Sequence, residues 1–180
     1  MSKILKVINL FGAPGMGKSG AAGGLFWLMK GNHYSVELVP EYAKYLIHAG
    51  RASQLEDEQY LVLAKQYHML SILKNKYEFA ITDSPLQLCA FYEPGKLPPS
   101  YFELLDKFWG EFDCTNFFLS RDLSAEDAAF ENEGRLHKKE DSIKTEGVMR
   151  NFLAKKNIGY TELPINMKTP WLLLDAIRKQ

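Results

Sequence analysis

Short apolar runs alternate along the chain with longer segments of helical period, the pattern of an α/β fold built on a parallel sheet. Ile4–Phe11 is predicted as the first strand and Lys18–Lys30 as the helix that follows it. Gly20, Gly23 and Gly24 each cost that helix about 1 kcal/mol relative to alanine. They point to tight packing against the sheet or a ligand, or to a frayed helix. Tyr34–Val39 reads as strand two, followed by a helix over Glu41–Ala49 that stops at Gly50. Leu55–Lys76 reads as one long helix with Leu61, Ala64, Lys65, His68 and Ile72 along one face. Glu78–Thr82 is a short strand ending in Asp83-Ser84-Pro85. Ser100–Phe112 is an aromatic-rich helix, and Thr115–Leu119 is strand four. Asp122–Lys139 is polar and without clear period. A helix over Asp141–Lys156, a strand over Ile158–Leu163 and a closing helix over Pro170–Lys179 complete the chain. No repeat or low-complexity linker divides it, so residues 1–180 are expected to form one domain.

Behind the first strand stands Gly12-Ala13-Pro14-Gly15-Met16-Gly17-Lys18-Ser19, which fits the phosphate-binding pattern G-x-x-x-x-G-K-[ST] between a strand and a helix. Glycines let backbone N–H groups converge on phosphates, and the helix N-terminus from Lys18 to Gly20 adds a favourable dipole. Lys18 is expected to reach the β- and γ-phosphates of ATP, and the Ser19 hydroxyl to ligate Mg²⁺. Asp83, at the end of a strand, suits a Walker B acid holding a magnesium water, a helix cap, or both. Glu41 follows strand two at a carboxyl edge, where open α/β sheets bind ligands. It is placed either to take the proton of an attacking hydroxyl or to complement a helix dipole. Lys44, one turn on, serves an acceptor or solvent. Arg121 and Arg135 flank the polar segment, so residues 121–140 are expected to form a lid whose arginines neutralise charge on the transferred phosphate.

Composition narrows the function further. Lys and Arg total 22 and Asp and Glu 22, so no global field draws the chain to nucleic acid or membrane. The apolar fraction of 46% suffices for a core without staples. Cys89 and Cys114 form no CxxC pair and the 4 histidines are scattered, which suits a reduced, cytoplasmic chain whose metal comes with the nucleotide. The first apolar run is too short for a signal or a membrane span. A GTPase would need Asn-Lys-x-Asp after a strand, but Asn75-Lys76-Tyr77-Glu78 ends a helix and lacks the aspartate. An AAA+ motor would need more residues than these 180. A compact phosphotransferase or an ATP-dependent switch remains.

The stretches VINLFGAPGMGKS, ELVPEYAKYL, QYHMLSILK, FAITDSPLQL and NFFLSRD, with the later Gly134-Arg135, resemble in order a family of small, AAA-type-ATPase-like P-loop kinases common in tailed phages. Some of that family phosphorylate the hydroxymethyl group of 5-hydroxymethyluracil within DNA during thymine hypermodification. EYAKYL is also similar to ribosylnicotinamide kinases. The resemblance implies a nucleotide-kinase-like fold with five parallel strands in order 2-3-1-4-5, helices on both faces, and the roles of Lys18, Ser19, Asp83 and the arginines by position. Two features depart from the family. Ser19 is followed by Gly20-Ala21-Ala22 rather than a Thr-Thr pair, which thins the magnesium shell. Asp122, Glu126, Asp127, Glu131 and Glu133 crowd the first part of the lid and would repel a DNA backbone. From Arg135 to Lys156 the balance turns basic, and Arg135, Lys138, Lys139 and Lys144 are the expected phosphate contacts. Tyr92, Tyr101, Phe102, Phe108 and Trp109 offer either a stacking surface for an extruded base or core packing. The expected function is an ATP-dependent, Mg²⁺-requiring kinase of a hydroxyl acceptor, first the hydroxymethyl group of a base in phage DNA; the alternatives are a kinase of a free nucleoside, nucleotide or ribosylnicotinamide, and an ATP-binding module acting through a partner.

Overall fold

Alternating strands and helices make a sheet whose carboxyl edge gathers the chemistry. The computed structural model describes residues 4–121 and 139–179, leaving aside the side chains of residues 56 and 139–143. Strands β1 (Lys6–Phe11), β2 (Val36–Val39), β3 (Phe79–Thr82), β4 (Asp113–Arg121) and β5 (Thr161–Ile165) pair in parallel in the order β2-β3-β1-β4-β5. Central strands β1 and β3 are nearly all buried and read as continuous apolar runs, as strands covered on both faces must. The edge strand β5 runs on through Pro164 to Ile165, later than its apolar run suggests. An edge position tolerates the missing proline N–H.

One face carries α1 (Lys18–Gly31) and α8 (Thr169–Arg178), which pack on Ile8, Leu10, Ile81, Phe117 and Leu119. The other carries α2 (Tyr42–His48), α3 (Gln54–Asp57), α4 (Gln59–Ser71), α5 (Gln87–Phe91), α6 (Pro99–Trp109) and α7 (Lys139–Lys155). Phe11, Phe117 and Phe118 are fully buried, each contributing roughly 2 kcal/mol of apolar burial.

Several expectations are corrected. The helix expected over Leu55–Lys76 is two, α3 and α4, because Glu58 leaves helical geometry (φ −128°, ψ 42°) and its carbonyl accepts the first bonds of α4. The buried face of α4 is Gln59, Val62, Leu63, Gln66 and Leu70, whereas Ala64, Lys65, His68 and Ile72 lie exposed. Two buried glutamines disguised that face in the sequence. Helix α5 was not foreseen. The aromatic rings of α6 serve the core: Tyr101 is buried, Phe108 stacks on Tyr67 with centroids 3.7 Å apart, and Trp109 packs on Phe11. The lid expected over residues 121–140 lies outside the described residues except at its two ends, Arg121 and the start of α7.

Candidate active site

The turn between β1 and α1 is set by backbone that only glycine adopts readily. Gly12, Gly15 and Gly17 have φ of +144°, +83° and +86°. A Cβ on Gly12 would also stand 2.7 Å from the Leu119 carbonyl oxygen of β4. Gly12 is therefore fixed twice, by its dihedral and by the neighbouring strand. Ala13 and Met16 are buried beneath the turn, while Pro14 and Gly15 form its half-buried crest. Lys18 opens α1, and its ammonium donates to the carbonyl oxygens of Gly12 at 2.7 Å and Ala13 at 3.0 Å. The cation thus lies across its own loop. Gly17, the N-cap of α1, and the exposed Ser19 and Gly20 continue the same surface.

Ser19 Oγ donates to Asp83 Oδ2 at 2.5 Å, which joins the first turn of α1 to the end of β3. Asp83 is only 5% exposed, and its carboxylate faces Ser19 while α5 starts from Leu86 without a side-chain cap. A hydroxyl and a carboxylate this close are hard oxygen donors that fit Mg²⁺. Among the described residues no three His, Cys, Asp or Glu side chains converge for a metal, so an ion here would complete its shell with phosphate oxygens and water.

Glu41 is the N-cap residue of α2, with extended backbone (φ −70°, ψ 116°) and no capping bond from its side chain. Its charge reaches α5. The Cys89 thiol is pushed up to about 12, first by burial and then by Glu41, and the Tyr92 phenol is pushed up by the same two causes. Both groups therefore stay neutral near pH 7. Ser19, Asp83 and Glu41 line one cavity of about 560 Å³, whose outer wall is α2. On that wall Lys44 and Tyr45 face the same space, and Tyr45 stacks on Tyr42 with centroids 5.8 Å apart and planes 23° from parallel.

Arg121 ends β4, level with Ile165 of β5 and beyond the end of β1. Arg135 lies outside the described residues, as does Lys138. Of the basic residues foreseen on α7, Lys144 is exposed. Arg150 is clasped by Glu162 at 2.6 and 2.8 Å and by Glu146 at 3.0 Å, and Lys156 pairs with Asp106 at 3.1 Å. The residue that sequence reasoning missed is Gln66, buried on α4 against the turns that carry Glu41 and Asp83.

No protein-family model and no curated protein matches this sequence. Solved structures do share its fold. NadR in complex with NAD and AMP-PNP superposes with a TM-score of 0.70 at 15% identity, and NadR in complex with NR with 0.66 at 16%. Each match covers 98% of this chain and 49% of NadR, so the chain spans about half the length of that protein. The APS kinase CysC of Mycobacterium tuberculosis, in complex with AMPPNP and APS, matches at 0.52 and 12% identity over 97% of this chain and 96% of its own. The chain has the fold of P-loop kinases, with its five parallel strands in order 2-3-1-4-5 and helices on both faces. No helix among the described residues is long and apolar enough to cross a membrane.

Proposed function

We propose that this chain is an ATP-dependent phosphotransferase whose acceptor is a hydroxyl group. One observation carries the reading: Ser19 and Asp83 from the phosphate side and Glu41 from α2 share a single cavity. Its 560 Å³ suits a nucleoside-sized compound. Backbone N–H groups from Gly12 to Gly20 cradle the phosphates, and Lys18 neutralises the transferred one. Ser19 and Asp83 would hold Mg²⁺, which would supply positive charge that stabilises the leaving group. Glu41 accepts the hydroxyl proton as the acceptor oxygen bonds to the γ-phosphorus. The bond from that phosphorus to the β-phosphate oxygen breaks, and ADP leaves. Arg121 and Arg135 screen the equatorial oxygens as negative charge spreads over them.

The geometry favours a free acceptor such as a nucleoside, a nucleotide or ribosylnicotinamide. The Tyr42–Tyr45 pair offers a flat surface beside the cavity, and the structural neighbours hold NR or APS. Of the described basic side chains on α7 and at its C-terminal end, Arg150 is paired with Glu146 and Glu162 and Lys156 with Asp106, which leaves Lys144 and Lys155 for a DNA backbone. The second reading is a hydroxymethyl group of 5-hydroxymethyluracil in phage DNA. It is supported by the ordered run of phage-kinase stretches and by exposed Lys144 and Lys155. An extruded base would then stack on the same tyrosines, at a few kcal/mol of unstacking.

Incubation with γ-labelled ATP and Mg²⁺ decides between them, with nicotinamide riboside, thymidine, hydroxymethyl-dUMP and 5-hydroxymethyluracil DNA offered separately. Label on a free compound is the expected result. Label on the DNA alone, falling as salt rises, establishes the second reading. Label released only as inorganic phosphate turns the chain into an ATP-binding module and ends the phosphotransferase proposal.

A further inference from the structure

A single buried amide ties together the two turns that carry the candidate carboxylates. Gln66 is 1% exposed, on the core face of α4 beside Val62, Leu63 and Leu70. Its Oε1 accepts from the Tyr42 backbone N–H at 3.1 Å. Its Nε2 donates to the Pro40 carbonyl at 3.3 Å and to Thr82 Oγ1 at 3.3 Å. The Thr82 hydroxyl accepts in turn from the Ser84 N–H at 3.1 Å. Pro40 and Tyr42 are the two neighbours of Glu41, and Thr82 and Ser84 are the two neighbours of Asp83. The orientation of the amide is forced, because the Tyr42 N–H only donates and the Pro40 carbonyl only accepts.

An apolar side chain would fill this position on a core face without the cost of burying an amide. A neutral amide supplies from one plane the acceptor that the Tyr42 N–H needs and the donors that the Pro40 carbonyl and the Thr82 hydroxyl take here. We infer that Gln66 is a positioning residue for phosphotransfer, fixing the Glu41 turn at a set distance from the Asp83 turn so that proton acceptor and metal site face one γ-phosphorus. The inference rests on the proposed role of Glu41. It adds that the spacing between the two halves of the site is set from outside the cavity, by α4.

The test uses γ-labelled ATP with whichever of nicotinamide riboside, thymidine, hydroxymethyl-dUMP or 5-hydroxymethyluracil DNA the unaltered chain labels. Gln66→Leu is expected to lower kcat by ~10- to 10²-fold, the scale of a misplacement of about 1 Å, while the Kd for Mg·AMP-PNP by calorimetry stays within about 3-fold. In a Glu41→Gln background, followed by single-turnover label transfer, Gln66→Leu should add less than about 2-fold, because the group it positions is already gone. A support that merely holds the fold would lower both backgrounds equally. Gln66→Glu serves where Gln66→Leu fails to fold. Its carboxyl keeps an acceptor and, when protonated, one donor, so its turnover relative to the parent chain should rise as pH is lowered. An unchanged kcat in Gln66→Leu, equal losses in the two backgrounds, or a pH-independent ratio for Gln66→Glu overturns the positioning role alone. An unaltered chain that labels none of the acceptors removes the role of Glu41, and the inference falls with it.

Discussion

The proposed phosphate half of the site and the proposed acceptor half are built in opposite ways. The loop from Gly12 to Gly17 is backbone architecture, contiguous in sequence and fixed by positive φ and by the Leu119 carbonyl of β4. The acceptor half is side-chain architecture. Glu41, Lys44 and Tyr45 ride on the short helix α2, and the turn that carries them is bonded to Gln66 of α4. A site whose donors are main-chain N–H groups depends on glycine geometry and tolerates changes in side chains. One whose groups are side chains on a short helix can be retuned by single substitutions. The sheet itself is shared with NadR and an APS kinase at only 15% and 12% identity to this chain, so the fold alone does not fix the site.

The largest effect is expected at Lys18, the loop side chain proposed to reach the transferred phosphate. Lys18→Ala removes the cation now held over the Gly12 and Ala13 carbonyls, and turnover with Mg·ATP should fall by at least ~10²-fold, as for the loss of one preorganised electrostatic stabiliser. Steady-state label transfer measures it. Near-full activity would mean that this loop does not handle the transferred phosphate.

Next in size is the division of labour across the cavity. Glu41→Gln should lower transfer by ~10²-fold or more while Mg·AMP-PNP binding by calorimetry stays intact. Asp83→Asn should instead raise the Mg²⁺ concentration needed for half-maximal rate, since it alters the partner of Ser19. Equal weakening of nucleotide binding by both variants would erase the distinction between the halves.

How far each half was legible follows from how local it is. The turn from Gly12 to Gly17 could be read directly as a link from strand to helix because its pattern, its strand and its helix are consecutive. Asp83 and Glu41 stood out as acids just past strand ends, where a parallel sheet presents its carboxyl edge. Gln66 could not be found that way. It is a polar residue on a buried face, and helical period alone selected Leu61, Ala64, Lys65, His68 and Ile72 in its place. Its partners lie on two other elements, and only the fold brings them together. Gly24 was noticed, but its reason was hidden in the same way, since the atom it avoids belongs to Pro170 of α8.

That glycine gives a smaller effect with an informative sign. A Cβ at Gly24 would meet the Pro170 ring at 2.6 and 3.1 Å, whereas one at Gly23 would meet nothing within 4 Å. Gly23→Ala should stabilise α1 by up to about 1 kcal/mol, the helix propensity of alanine over glycine. Gly24→Ala gains the same propensity but pushes α8 away, and overpacking of this kind costs about 1–3 kcal/mol, leaving the variant level with or below its parent. Urea unfolding of the two variants should order them Gly23→Ala above Gly24→Ala. The reverse order would mean that the helix behind the phosphate loop is not seated against α8 as described.

The smallest effect probes the scaffold of the proposed acceptor half, at the C-terminal end of α4 beside Gln66. Tyr67 donates to Glu111 Oε2 at 2.7 Å, and Lys74 pairs with the same carboxylate, joining α4 to the turn before β4. Lys74 first and Tyr67 second hold the Glu111 carboxyl below its ordinary value of 4.5. The Tyr67 phenol is pushed above 10.0, chiefly by its bond to Glu111. For Glu111 the folded value is the lower one. Its contribution is therefore whole above the unfolded carboxyl value and disappears as pH falls through the folded one. For Tyr67 the folded value is the higher, so its part is whole below about 10 and lost as pH rises through the folded value. The Glu111 side chain is 34% exposed, so solvent screening holds the pair to about 0.5 kcal/mol near neutrality. Glu111→Gln should be less stable than its parent by that amount at neutral pH, and the gap should close as pH drops below the carboxylate range. Turnover at neutral pH should stay within about 2-fold of the parent, because Gln66 faces the core on a helix still packed by Val62, Leu63 and Leu70 while Glu111 binds the side chain of Tyr67. Urea unfolding of the two chains along a pH series, paired with one label-transfer assay, reads both quantities. A stability gap that stays constant into acid would show that Glu111 acts through packing rather than charge, and a large loss of turnover would move the ion pair from scaffold into site.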